Sequence, residues 1–144
     1  MYRMKTIEGF GENGEVPTAW LGLYAATCFR TACALFGNGR REEGYEYLEK
    51  CFAPFEEWDK IPDGAETDTG DPLLFGGAKL LKNKGVLILP DGTKEPIDYG
   101  YLLRENKSLI YRGMTAPKGW EWFNSVRDEE RFKEYIERAR GLIE

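Results

Sequence analysis

One long apolar segment limits the folds open to this chain more than any other feature. Residues 16–38 carry a single charged side chain, Arg30. At about 100° per residue, the large apolar side chains of this segment occupy both sides of a helix. Such a helix has to be covered over most of its surface, so we predict a buried central helix. Because Arg30 lies mid-segment, where a bilayer would penalise it, we predict no membrane span.

A second helix follows directly, over about residues 40–58. The glycines of Gly37-Asn38-Gly39 predict a short turn between the two helices. An apolar stripe then recurs at three- and four-residue spacing. Two helices joined by so short a turn form an antiparallel hairpin, which we place over about residues 16–58. The members of the stripe are Tyr45, Leu48, Phe52 and Phe55.

The second helix resembles the second helix of a tetratricopeptide repeat. A glycine-led turn precedes acidic residues, and Gly44, Leu48 and Cys51 stand at the small, large and small packing positions of that family. Ala32 and Leu35 match the small and large positions of the first helix. The resemblance covers about one period of roughly 34 residues, without a second copy. It implies a helical hairpin that holds a peptide or a partner domain.

The segment Trp120–Phe132 resembles the closing segment that follows bacterial tetratricopeptide arrays. Such arrays occur in regulators and scaffolds, so this resemblance also implies a binding module. Further along, Asp128 is predicted to cap a last helix with an apolar stripe on one face. We place the C-terminal helices over about residues 117–143.

Between the N-terminal hairpin and the C-terminal helices, the spacing of the apolar residues changes from a helical to a strand-like pattern. After a polar connection over residues 59–72, the apolar pattern and the turn residues predict four strands of an antiparallel meander. The meander spans about residues 73–115, and we expect the 16–38 helix to cover its apolar face. The chain is therefore predicted to be one α+β domain over residues 1–144. The four predicted strands are residues 74–81, 86–89, 94–98 and 108–112.

Composition excludes several chemistries. The chain contains no histidine, which removes histidine-based nucleophile systems and histidine-ligated zinc. It also lacks the glycine-rich dinucleotide and phosphate-loop motifs, and we predict no cofactor. The net charge of −5 argues against a nucleic-acid partner.

Cellular location is inferred from cysteine usage and from the N-terminal residues. The three cysteines are an odd number without metal-site spacing, so we predict reduced thiols in the core. The first residues contain no apolar signal core. Together these features predict a cytoplasmic protein.

Four acidic residues in the connection are weak candidates for a metal site. Carboxylate oxygens are the ligands that Ca²⁺ and Mg²⁺ prefer. The spacing does not match a calcium-binding loop, and a solvated loop explains the same residues. The four residues are Asp63, Glu66, Asp68 and Asp71.

The aromatic residues are the other candidates for a site. An exposed tryptophan and tyrosine cluster would mark a partner-binding surface, whereas the alternative is that these rings fill the interface between helices and meander. The predicted function is a non-catalytic module that binds a protein, a peptide or another domain. The alternatives are a small carboxylate- or metal-dependent enzyme and a homo-oligomeric assembly protein. The candidate partner-binding residues are Trp20, Tyr24, Trp58, Trp120 and Trp122.

Overall fold

The fold is α+β, as predicted, with a helical hairpin at its centre. The structure is a computed structural model that describes residues 2–11, 14–97 and 106–144. Short 3₁₀ turns at Thr18–Trp20 and Glu121–Phe123 complete it. The helices are α1 (Tyr2–Glu8), α2 (Leu21–Gly37), α3 (Arg41–Lys60), α4 (Pro72–Phe75), α5 (Asn106–Thr115) and α6 (Glu130–Gly141). The strands are β1 (Glu66–Asp68), β2 (Lys79–Leu81), β3 (Val86–Ile88) and β4 (Lys94–Pro96).

Helix α2 is the buried central helix that its composition predicts. It packs most extensively on α3 and is also contacted by α1, α5 and the Glu121–Phe123 turn. On one side, the ring of Phe29 lies 5.8 Å from that of Phe123. On the other side, α1 places Met4 against Cys28. Both apolar sides of α2 are thus covered by other parts of the same chain.

By length and composition alone, Thr18–Gly37 could also cross a membrane. In this structure, 56% of its apolar window is buried inside the protein. The core helix of a globular protein meets the same criterion. The absence of a membrane span therefore stays a prediction.

The hairpin is closed by the Asn38–Arg40 turn and held by a matched pair of side chains. The ring of Phe36 packs edge-on against Tyr45, with 5.1 Å between centroids. Gly44 lies directly under the same phenylalanine ring, and a Cβ there would come within 2.7 Å of it. The absence of a side chain at Gly44 therefore sets how closely α2 and α3 approach. The predicted stripe of α3 is fully buried at Tyr45, Leu48, Phe52 and Phe55.

The sheet is an antiparallel meander, but its strands differ from the prediction. The order is β1-β2-β3-β4, with each strand hydrogen-bonded to the next. The predicted 86–89 and 94–98 strands are present as β3 and β4, although residue 98 lies outside the described residues. The predicted strand at 74–81 is confirmed only at its end, as β2, because residues 74 and 75 belong to helix α4 and a turn follows. The predicted strand at 108–112 is wrong, since these residues belong to α5.

The remaining strand lies where the sequence predicted only a connection. β1 pairs with β2 through Glu66 opposite Leu81 and Asp68 opposite Lys79. The meander therefore begins near residue 66, and its described part ends at β4. A three-residue strand with one buried position, Thr67, carries too little apolar pattern to be recognised.

The expected packing of the sheet along α2 is also wrong. The sheet joins the open end of the hairpin, where α2 begins and α3 ends. The backbone N–H of Asp68 donates to Thr18 Oγ1 at 2.8 Å, and the indole of Trp20 donates to the Thr69 carbonyl at 2.8 Å. The long sides of α2 stay available for the helices because the meander is held at the end.

Helix α6 packs on α3 along a seam of ion pairs and aromatic rings. Arg138 donates to Glu49 at 2.7 Å and to Glu56 at 2.8 Å, and Arg41 donates to Glu129 at 2.6 Å. The predicted cap at Asp128 is wrong. The residue that precedes the helix is Glu129, whose side chain makes no capping bond and instead accepts from Arg41 and Tyr45.

Replacing Gly44 by alanine is expected to destabilise the protein by about 1–3 kcal/mol, because the new methyl group overpacks against Phe36. The matched control is Gly141→Ala in α6, where a Cβ meets nothing within 4 Å. That change should alter stability by less than about 1 kcal/mol. Urea unfolding of both variants is the measurement. Equal midpoints for Gly44→Ala and the wild type would contradict the packing role.

The seam is expected to weaken in acid. The hydrogen bond from Arg138 lowers the pKa of Glu49, and the bonds from Arg41 and Tyr45 lower the pKa of Glu129, both from an ordinary value of 4.5. A lowered folded-state pKa contributes stability above the unfolded pKa, and this stability is lost as the pH falls through the folded pKa.

Urea midpoints measured from about pH 6 down to about pH 3 test this expectation. The double variant Glu49→Gln/Glu129→Gln should lose less stability over this interval than the wild type. Parallel curves would show that the two carboxylates do not carry the effect.

Candidate functional site

Two of the predicted partner-binding residues belong to the packing of the protein. Trp58 is 4% exposed, and the Nζ atom of Lys82 lies 5.1 Å from the centre of its ring. Tyr24 is half-buried and donates to Glu8 at 2.9 Å. Its burial and this hydrogen bond raise the pKa of Tyr24 well above its ordinary value. Neither ring offers a free binding surface.

Lys82 joins the sheet to the end of α3. Its ammonium group is buried and donates to the carbonyl of Trp58 at 2.6 Å and to that of Ile61. Carbonyls at the C-terminus of a helix lack partners within the helix, and a cation there suits the helix dipole. Lys82 therefore caps α3. Because the residue before it, Leu81, is the last residue of β2, this contact connects the sheet to the end of α3.

Trp20 packs against aromatic residues that hold helix α4. Its ring centroid lies 5.4 Å from that of Phe75 and 5.8 Å from that of Phe10, and Phe10 and Phe75 meet edge-on at 4.9 Å. The three rings form a small aromatic cluster under α4. Aromatic pairs at these distances are favourable beyond the area they bury. Trp20 thus fixes the base of α4.

Helix α4 presents two leucines to solvent, which we call the Leu73–Leu74 tip. Leu73 is 93% exposed and Leu74 is 57% exposed. The next residue, Phe75, points back into the aromatic cluster. Adjacent exposed leucines on a supported helix differ from the scattered apolar residues of an ordinary surface, and such features mark interaction sites.

The backbone around the tip is firmly held. The Asp71 side chain accepts from the Leu73 N–H at 2.9 Å and so caps α4, and the Asp71 N–H donates to the Phe10 carbonyl at 2.7 Å. Gly70 has φ +104°, and a Cβ there would lie 2.0 Å from the Phe10 oxygen, so only glycine fits. The exposed leucines are therefore presented by a defined structure.

Trp120 and Trp122 lie at the other end of α2. The Trp120 ring is half-buried against Phe29, with 5.9 Å between centroids. Trp122 is 48% exposed and lies beside Gly37, the last residue of α2. Trp20 immediately precedes α2, a helix about 25 Å long at 1.5 Å per residue. The predicted aromatic residues therefore do not form one surface.

Three of the four acidic candidates are engaged separately. Asp63 accepts from Asn83 at 2.8 Å, Asp68 pairs with Lys79 at 3.3 Å, and Asp71 caps α4. Glu66 is exposed on β1. Within residues 2–11, 14–97 and 106–144, no group of three or more carboxylates and thiols is arranged to hold a metal ion.

The cysteines are free thiols in the core. Cys28, Cys33 and Cys51 are all buried in the main apolar cluster. Burial raises the pKa of the Cys28 and Cys33 thiols to about 12, and it raises that of Cys51 well above its ordinary value. Protonated, buried thiols are poor nucleophiles, so these cysteines serve packing.

Among the concave surfaces that the described residues line, two lie at the hairpin and at the base of the tip. The first, which we call the hairpin groove, has a volume of about 440 Å³ and lies between α2 and α3, with Ala34, Leu35 and Tyr47 among its walls. The second, which we call the acidic cleft, has a volume of about 510 Å³ and reaches Pro72 at the base of the tip. Its charged lining residues are Glu15 and Asp68.

Comparisons of this chain with models of protein families, with curated proteins and with solved structures find no match. The residues that carry the tetratricopeptide resemblance are buried, among them Gly44, Leu48, Cys51 and Ala32. The relationship to that family stays a prediction.

The apolar pattern predicts a strand over residues 74–81, so the exposed leucines of α4 were not predicted as a site. A local signal for the helix was present in Asp71-Pro72 and Gly76. An aspartate N-cap, a proline at the first helical position and a left-handed glycine after the last are typical of a short helix. The role of Lys82 had no such signal, because the carbonyls that it caps are more than twenty residues away.

Replacing Lys82 by methionine is expected to destabilise the protein by about 1–3 kcal/mol, because the Ile61 carbonyl loses this donor and the Trp58 carbonyl keeps only the Ile61 N–H. The matched control is Lys84→Met at an exposed position, with an expected effect within about 0.5 kcal/mol. Urea unfolding followed by tryptophan fluorescence measures both. Indistinguishable midpoints for the two variants would contradict the capping role.

Proposed function

We propose that this protein is a non-catalytic binding module that engages a protein partner through the Leu73–Leu74 tip. The observation that carries the proposal is the exposure of Leu73, 93%, on a helix whose base is packed and capped. Burying an exposed leucine pair against a partner is favourable, because it removes apolar surface from water. Defined presentation reduces the entropy lost when that partner binds.

The surroundings of the tip support a protein partner. The acidic cleft reaches Pro72, the first residue of α4, and its charged lining residues are Glu15 and Asp68. An apolar centre flanked by charged groups is the usual arrangement of a protein interface. Two leucines bury a small area, so the contact alone corresponds to a transient complex.

The two alternative functions have less support in the described residues. An enzyme built on the acidic connection would need convergent carboxylates, whereas Asp63 and Asp71 are each engaged in local hydrogen bonds. The assembly hypothesis came from the apolar surface of α2. Helices α1, α3 and α5 of the same chain contact that surface.

Site-specific photo-crosslinking tests the proposal in cells of the source organism. A benzophenone amino acid replaces Leu73 in one variant and the exposed Lys94 in a control variant. A partner should be crosslinked from position 73 and not from position 94. The purified partner should then bind the double variant Leu73→Asp/Leu74→Asp at least about 10-fold more weakly than the wild type.

The matched control is Ile143→Asp, which changes another exposed apolar residue on a different element. Its affinity for the partner should stay that of the wild type. Equal binding by the double variant would overturn the proposal. Crosslinks from position 73 only to a second copy of this chain would favour the assembly hypothesis instead.

A further inference from the structure

The Asn38–Arg40 turn between α2 and α3 contains an asparagine followed by a glycine, and both residues are exposed. In an unfolded chain this pair is chemically labile, because glycine has no side chain to hinder its nitrogen from reaching the asparagine amide. The Gly39 nitrogen bonds to Cγ of Asn38, and the side-chain amino group takes up the proton and leaves as ammonia. Water then opens the resulting succinimide ring to aspartate or isoaspartate. The conformation of the turn determines whether this reaction can start.

The glycine nitrogen is already engaged in the folded turn. Gly39 has φ +74°, and its N–H donates to the Phe36 carbonyl at 3.0 Å. The next N–H, that of Arg40, donates to the Leu35 carbonyl at 2.9 Å. These two bonds around a left-handed glycine form a Schellman motif, a common end of a helix. The motif therefore holds the nucleophile of the reaction in a hydrogen bond to Phe36.

The asparagine is also held in a conformation that prevents ring closure. The five-membered ring closes only when the Gly39 nitrogen is eclipsed with the Cβ atom of Asn38. With ψ at 10°, the Gly39 nitrogen is instead nearly eclipsed with the backbone nitrogen of Asn38. The side-chain amide donates to the Ala34 carbonyl at 2.7 Å, which fixes it against α2. Because both residues are exposed, the protection comes from this geometry and not from exclusion of water.

We propose that Asn38 is a deamidation site that is protected in the folded protein and reacts when the hairpin turn opens. The same glycine that makes the sequence labile builds the motif that protects it. Reaction requires an opening that breaks the bonds to Phe36 and Ala34, so its rate follows the population of opened chains. This inference does not depend on the binding of a partner by the Leu73–Leu74 tip.

Deamidation also weakens the hairpin that it modifies. An aspartate at position 38 places a carboxylate oxygen where the amide N–H donates to the Ala34 carbonyl, and the two oxygens repel each other. A negative charge at the C-terminal end of α2 is unfavourable in the helix dipole. Isoaspartate adds a methylene group to the backbone of the turn. A chain that has opened and reacted therefore refolds to a less stable hairpin.

The rate of deamidation is measured on the full chain, folded and in guanidinium chloride, at one temperature and one mildly alkaline pH. Mass spectrometry of proteolytic peptides separates position 38 from the second Asn-Gly pair of the sequence, at residues 13–14. We expect Asn38 to react at least about 10-fold more slowly in the folded chain. A synthetic peptide with residues 34–42 is the matched control and should react equally fast in both solvents.

A pair of variants tests the consequence for stability. Asn38→Asp should unfold at a lower urea concentration than the wild type. Asn124→Asp is the control, because it keeps the oxygen that accepts from Arg127, and its urea midpoint should not fall.

Equal rates at Asn38 in the folded and the denatured chain would overturn the proposal. An Asn38 that stays intact in the denatured chain would overturn it as well. A urea midpoint of Asn38→Asp equal to that of the wild type would overturn the inferred weakening of the hairpin.

Discussion

The close packing of α2 on α3 is the contact on which the rest of the structure depends. The Phe36 ring lies over Gly44, where no side chain intervenes, and meets Tyr45 edge-on. This approach leaves α2 with two further apolar sides. Helix α1 covers one of these sides, and α5 and the Glu121–Phe123 turn cover the other. The remaining elements are therefore packed around α2. Because interiors are close-packed, small changes at this contact affect every layer.

Charged residues attach the outer elements to that centre. Lys82 caps the end of α3 and thereby holds the sheet at the open end of the hairpin. Arg138 binds Glu49 and Glu56 and thereby holds α6 along α3. These contacts have different characters. Lys82 is buried and has to keep its carbonyl partners, whereas the seam is half-exposed and screened by salt.

The proposed binding surface at the tip follows from where the sheet lies. Holding the meander at the end of the hairpin places α4 away from the core, and the Phe10–Trp20–Phe75 cluster supports its exposed leucines.

The hairpin, the buried stripe of α3 and the β3 and β4 strands can all be predicted from the amino-acid sequence. Each depends on a repeat of apolar residues or on a turn motif, which acts over a few residues. The folded structure was needed to show that residues 106–115 form a helix, that Glu129 contacts Arg41, and that the sheet lies at the end of the hairpin. It also showed that Leu73 is exposed while Trp58 is buried. These features depend on contacts between residues that are far apart in the chain, and local patterns do not encode such contacts.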